Sequence, residues 1–215
     1  MDIFANCYYR RLRFLLSVVG EWPYHESRYV HFRRLLFFTY VLIFMTQQVL
    51  KLIRMNYELS MALEIIPNVV VTTICVTKFL FTWANRTAVR HLFDWIRHDW
   101  AIFTSTEEVI ILHKFADKAR ILGMFYVYTF EIALGALLII QLSPAMLDVF
   151  APLNHTRPGH YVFEMEYFFD PNKYYYAVVL HTTFTLHVGV WIVASHDIVY
   201  VTCVFHACAV CAIVS

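Results

Sequence analysis

Four long apolar stretches, separated by segments that hold nearly all the arginine and lysine, restrict this chain to one kind of fold. They cover residues 35–52, 62–84, 121–142 and 175–194. Each is close to the ~20 residues that a helix needs to cross a ~30 Å hydrocarbon core. Backbone amides find no water to bond inside lipid, so a spanning segment of this type must close its hydrogen bonds within a helix. The expected fold class is therefore all-α, a polytopic membrane helix bundle with four long transmembrane helices. Hydrophobic residues make up 60% of the chain and the mean hydropathy is +0.57, which excludes an ordinary soluble domain.

The cations orient the bundle. The tail before the first stretch carries Arg10, Arg11, Arg13, Arg28, Arg33 and Arg34, and residues 85–120 carry Arg86, Arg90, Arg97, Lys114, Lys118 and Arg120. The other two links carry only Lys51 and Arg54, and Arg157 and Lys173. Twelve cations against four place the N-terminus and residues 85–120 in the cytosol by the positive-inside rule. This is the reverse of a G-protein-coupled receptor. The arginines lie at membrane edges, where they meet lipid headgroups, and form no nucleic-acid patch. The first twenty residues hold three arginines and no apolar core with a cleavage site. No cleavable signal peptide is expected, and the first span itself would direct insertion.

The domain organisation expected is a cytosolic tail over 1–34, a four-span region over 35–194, and a cytosolic extension of the fourth helix over 195–215. In the tail, an apolar run from Phe14 to Val19 precedes Gly20-Glu21-Trp22-Pro23, which predicts a short interfacial helix and a turn. Pro67 should kink the second span. In the long cytosolic link, Val89, Leu92, Phe93, Ile96 and Trp100 recur at helical spacing between charged residues, the pattern of an amphipathic helix. Ser105 with Glu108, or Thr104 with Glu107, can then form a capping box for a helix that runs into the third span. The extracellular link over 143–173 is rich in proline, aromatics and acids, and it contains a glycosylation candidate at Asn154. A second sequon at Asn85 lies on the cytosolic side and should be silent. Tyr174–Tyr176 and Trp191 bracket the fourth crossing, and no glycine or proline interrupts the pattern from there to Ser215. One long helix is expected, because Ser195-His196-Asp197 is too short and too helix-compatible to reverse two spans. The sequence stops inside an apolar segment, as a truncated product would.

Few residues point to chemistry. Five cysteines fall outside the extracellular link and give no disulfide framework. Cys203, His206, Cys208 and Cys211 point in several directions around one helix, so no metal is expected. No Walker loop, GxSxG or HExxH occurs, and an enzyme reading has no residues to carry it. Glu131 lies mid-span, where a charge costs several kcal/mol on insertion scales. It either contacts a ligand, a water cavity or another helix, or it is a protonated carboxyl bonded within the bundle. Lys78 is near the inner end of its span and can snorkel. His181 and His187 should face the bundle interior with Thr182, Thr183 and Thr185. Val70, Thr73, Phe130, Leu134, Leu138, His181, Phe184 and Thr185, with Glu131, offer apolar walls and a few hydrogen-bonding groups, as a small-molecule pocket requires. Ordinary packing is the alternative for each.

A cytosolic N-terminus, Gly20-Glu21-Trp22-Pro23, a long basic second link, and an over-long fourth helix carrying Ala194, Ser195, Asp197, His206 and Ala207 together resemble the insect odorant receptor family. Relatives often read G-L-W-P where this chain has Glu21. The resemblance implies a seven-helix receptor of which this chain supplies the first four helices. It also implies assembly with a shared olfactory co-receptor into a heteromeric tetramer, an odorant-gated cation channel of the plasma membrane without cofactors. Ligand would bind in the membrane among helices two, three, four and six. The last helix would line the pore, and the cytosolic ends of helices four to seven would form the subunit anchor. A 215-residue product would then not conduct alone. Gustatory receptors share the topology and are the nearest alternative. A transporter would show inverted repeats and broken helices.

Overall fold

The computed structural model describes residues 3–54, 59–151, 157, 159–163 and 165–215. A 3-10 turn at Ile3–Ala5 precedes six helices: α1 (Arg10–Val19), α2 (Arg28–Arg54), α3 (Leu59–Ala84), α4 (Arg86–Ile102), α5 (Thr106–Phe150) and α6 (Tyr175–Val214). Four of them, α2, α3, α5 and α6, are long and apolar enough to cross a membrane. Large apolar side chains such as Ile132, Ile139 and Leu180 on these helices are exposed, as lipid-facing residues are. The helical membrane bundle read from the sequence is thus the fold observed.

The chain divides into two compact units, one of residues 1–37, 77–128 and 191–215, the other of 38–76 and 129–190. The core of the first unit is aromatic, and its buried residues come from outside the four apolar stretches. Phe4, Leu12, Leu16 and Trp22 from the tail pack with Phe93 and Ile96 of α4 and with Ile198 and Val199 of α6. The Trp22 ring stands 5.3 Å from Phe4 and 5.7 Å from Phe93. Leu12, Leu15, Leu16 and Val19 of α1 are buried against protein, while Arg10, Arg11 and Phe14 are exposed.

Gly20 ends α1 in the left-handed region, at φ 88°. The amides of Glu21 and Trp22 both bond the Leu16 carbonyl, at 2.7 and 3.1 Å, which is how such a stop satisfies the last turn. A side chain there would meet Arg34 Cγ at 3.1 Å and the Val30 carbonyl at 3.3 Å. Ser27 then caps α2, with its Oγ 3.4 Å from the Val30 amide. Of the two capping boxes proposed for α5, the Ser105 register is used: the Glu108 carboxylate accepts from the Ser105 amide at 3.0 Å.

The two longest helices run well past their apolar stretches. At ~1.5 Å per residue, 45 residues in α5 and 40 in α6 give roughly 68 and 60 Å, twice the hydrocarbon core. In α6 the polar tripeptide forms no turn: Ser195 bonds its own helix, and His196 and Asp197 are tied to neighbouring helices of the first unit. Ser195 Oγ donates to the Ile192 carbonyl at 2.9 Å, Thr82 Oγ1 lies 2.8 Å from His196 Nδ1, and Asp197 accepts from Tyr126 at 2.7 Å. Asp197 also pairs with Lys78, so this lysine is held by an ion pair. At its other end α5 continues eight residues beyond the expected 142, through Pro144. A proline removes the hydrogen bond to the carbonyl four residues earlier. Here the Ser143 hydroxyl donates to that same Ile140 carbonyl at 2.7 Å, so the helix carries on.

Candidate ligand-binding site

The second unit is held by neutral polar pairs between apolar helices. Thr72 of α3 donates to Gln48 of α2 at 3.1 Å, and Thr182 of α6 donates to Gln141 of α5 at 2.9 Å. All four side chains are buried. The Tyr175 hydroxyl adds a bond to the Gln141 carbonyl.

Beside these pairs, α2, α6 and the 157–173 link build an aromatic cluster around His181. The Tyr40 ring lies 5.1 Å from Phe184, edge to face, and 5.8 Å from His181. Thr185 Oγ1 lies 3.0 Å from the Tyr40 hydroxyl, which also reaches the His181 carbonyl at 3.3 Å. On the other side of His181, the Tyr167 hydroxyl is 3.1 Å from Nδ1. Phe44 packs its ring 5.5 Å from Phe163 and 6.5 Å from His181. Burial raises the Tyr167 phenol, with the Tyr40 and Tyr161 phenols adding to it, so it stays a neutral hydrogen-bonding group.

The structure thus brings together His181, Phe184 and Thr185, which the sequence singled out. It adds Tyr40, Phe44, Phe163 and Tyr167, which the sequence did not. Glu131 meets another helix: its Oε2 lies 3.4 Å from His187 Nε2 of α6. Leu134 is buried and Leu138 half-buried on the same face of α5, whereas Phe130 is 37% exposed. Val70, 52% exposed, and Thr73 lie on an outward face of α3. Thr73 Oγ1 donates to the Val69 carbonyl of its own helix at 2.7 Å. The glycosylation candidate Asn154 lies outside the described residues. Of the four residues with metal-like spacing on α6, His206 bonds Asp99 at 2.9 Å.

The sequence model of the family described as 7tm Odorant receptor matches residues 58–215. The chain belongs to this odorant receptor family. It is a chemosensory receptor and a multi-pass membrane protein, and its membership points to a receptor and away from an enzyme. Comparison with curated proteins and with solved structures gave no match. The match begins at residue 58, so the Tyr40 and Phe44 side of the cluster lies before it, and His181, Phe184 and Thr185 lie within it.

Proposed function

We propose that this odorant receptor is the ligand-binding subunit of an odorant-gated cation channel in the plasma membrane, assembled with a shared co-receptor in a heteromeric tetramer. The N-terminus and residues 85–120 face the cytosol, and residues 143–173 face outside. Small volatile, mostly apolar ligands bind beside the cluster of Tyr40, Phe44, Phe163, Tyr167, His181, Phe184 and Thr185. That cluster is the observation that carries the reading. It combines aromatic walls with four hydrogen-bonding side chains, Tyr40, Tyr167, His181 and Thr185, in a helical membrane unit. Glu131, through His187, sets the spacing of α5 and α6 beside it.

Ligand-evoked currents from the receptor expressed with a co-receptor test the site. Tyr40→Phe and Thr185→Val each remove a hydroxyl, and a hydrogen bond of ~0.5–1.5 kcal/mol corresponds to roughly a 2- to 10-fold change in the half-maximal concentration. Glu131→Gln, which keeps a polar contact to His187, should have a smaller effect. Unchanged dose–response curves in all three would remove these residues from the ligand site. A membrane-impermeant thiol reagent on intact cells tests the orientation. Lys173→Cys should label, and the exposed Cys7 should not.

A further inference from the structure

The first unit contains a cavity of about 320 Å³ between α1, α5 and α6 that the odorant reading does not use. Its size is within the ~300–1,000 Å³ of small-molecule sites. The walls are apolar, with Leu15, Met124, Val127, Trp191 and Ile198 among them, and no carboxylate lines it. On α5, Ala116, Ala119 and Gly123 keep the space open. Two arginines, Arg11 and Arg120, are also among the lining residues.

The two cations are held differently. Among the described residues, the partners of Arg11 are both parts of one neutral side chain. Its guanidinium donates to the Tyr128 hydroxyl at 2.7 Å and stands 5.5 Å over that ring. Arg120 pairs with Asp117 of its own helix at 2.5 Å and stands 5.7 Å over Tyr8, while its Nε is buried without a hydrogen-bond partner. Arg120 immediately precedes the apolar stretch 121–142, and Trp191 lies near the end of the stretch 175–194. The cavity therefore sits where charged helix gives way to apolar helix on the cation-rich side. Apolar walls ending at cations call for a molecule with an acyl chain and a phosphate.

We infer that this cavity binds an anionic phospholipid, with an acyl chain against Met124, Val127 and Trp191 and its phosphate between Arg11 and Arg120. The proposal takes from the channel reading only its orientation, which makes the cytoplasmic leaflet, rich in anionic lipid, the source. Fluorescence quenching tests it directly, because Trp191 lines the cavity. The receptor is reconstituted in phosphatidylcholine vesicles doped with lipids brominated on the acyl chain. The Trp191 signal is taken as the difference from Trp191→Phe. Brominated phosphatidylserine should quench Trp191 at roughly one-tenth or less of the mole fraction needed with brominated phosphatidylcholine, the size expected of two arginines facing an anionic headgroup. Arg11→Gln with Arg120→Gln should abolish this preference, and Ala116→Phe, which fills the cavity, should reduce quenching by both lipids. Equal quenching by the two lipids in the unaltered protein overturns the proposal, whether or not the variants fold. A preference that survives the double arginine variant also overturns it. So does displacement of the brominated lipid by soluble glycerophosphate, which would mean that the headgroup binds without the chain. Current is not the readout, so a negative result leaves the channel reading standing.

Discussion

The two units of this receptor are held together by different chemistry. The first is organised around fused aromatic contacts, Phe4–Trp22–Phe93, with charged pairs such as Arg86–Glu26 at its surface. The second is organised by neutral hydrogen bonds, Thr72–Gln48 and Thr182–Gln141, between helices whose outer faces are apolar. On the orientation proposed above, the difference follows from solvent. In water, burying Trp22 and Phe93 is itself the driving force. In lipid, an apolar side chain gains nothing by moving from lipid to protein, so small polar pairs and close packing decide which faces meet. A unit built in the second way can present an aromatic cluster to an apolar ligand without collapsing onto it.

The largest expected loss is in the first unit. Trp22→Ala removes the ring between Phe4 and Phe93 and should destabilise the unit by ~3–5 kcal/mol. Hydrogen exchange of the α1 amides in detergent should show the loss while exchange in 175–190 is unchanged. Equal loss of protection in both units would abolish the contrast.

A second effect depends on pH. Glu21 is buried beside Trp22, and burial pushes its carboxyl up to about 8, against the pull of the Arg34 guanidinium and the Ser195 hydroxyl. One of its oxygens has no partner among the described residues. The folded chain thus binds a proton that an unfolded chain, titrating near 4.5, releases. Stability of the first unit should be highest at low pH as far as this group is concerned, fall as pH rises from about 4.5 to about 8, and level off above. Glu21→Leu should flatten that decline in the same exchange measurement. Gly20→Ala should cost ~1–2 kcal/mol for the left-handed backbone, plus the contacts with Arg34 and Val30. The smallest effect belongs to the second unit. The Thr182–Gln141 bond should show a coupling of ~0.6 kcal/mol in a double-mutant cycle with Thr182→Val and Gln141→Leu, read from thermal unfolding in detergent. A coupling several times larger would mean that this polar pair, and not packing, carries the unit.

Much of the fold is legible in the sequence, because length and hydropathy alone define a span. The single long α6 and the amphipathic α4 follow from helical spacing. The extension of α5 does not. Pro144 reads as a stop until the Ser143 hydroxyl is seen on the Ile140 carbonyl. The Lys78–Asp197 pair joins residues 119 apart, a separation at which no local pattern operates. The candidate site is half legible for the same reason. His181, Phe184 and Thr185 share one helix face and stand out together, but Tyr40 is 145 residues from Thr185 and its ring looks like any other in an apolar helix. Val70 and Thr73 share a face too. In an apolar helix, the face turned to lipid and the face turned to protein have the same composition, and only the structure shows that theirs turns outward.

Dose–response curves for Phe184→Ala and Trp22→Ala, expressed with a co-receptor and normalised to receptor at the cell surface, measure both units at once. Phe184, 49% exposed here, would be covered by bound ligand, so Phe184→Ala should reach the surface normally and shift the half-maximal odorant concentration by roughly tenfold, within the ~1–3 kcal/mol of covering an aromatic side chain. Trp22→Ala should lower surface abundance and leave the half-maximal concentration of the remaining receptors unchanged. A normal curve for Phe184→Ala, or a shifted one for Trp22→Ala, would contradict the placement of the odorant site in the second unit.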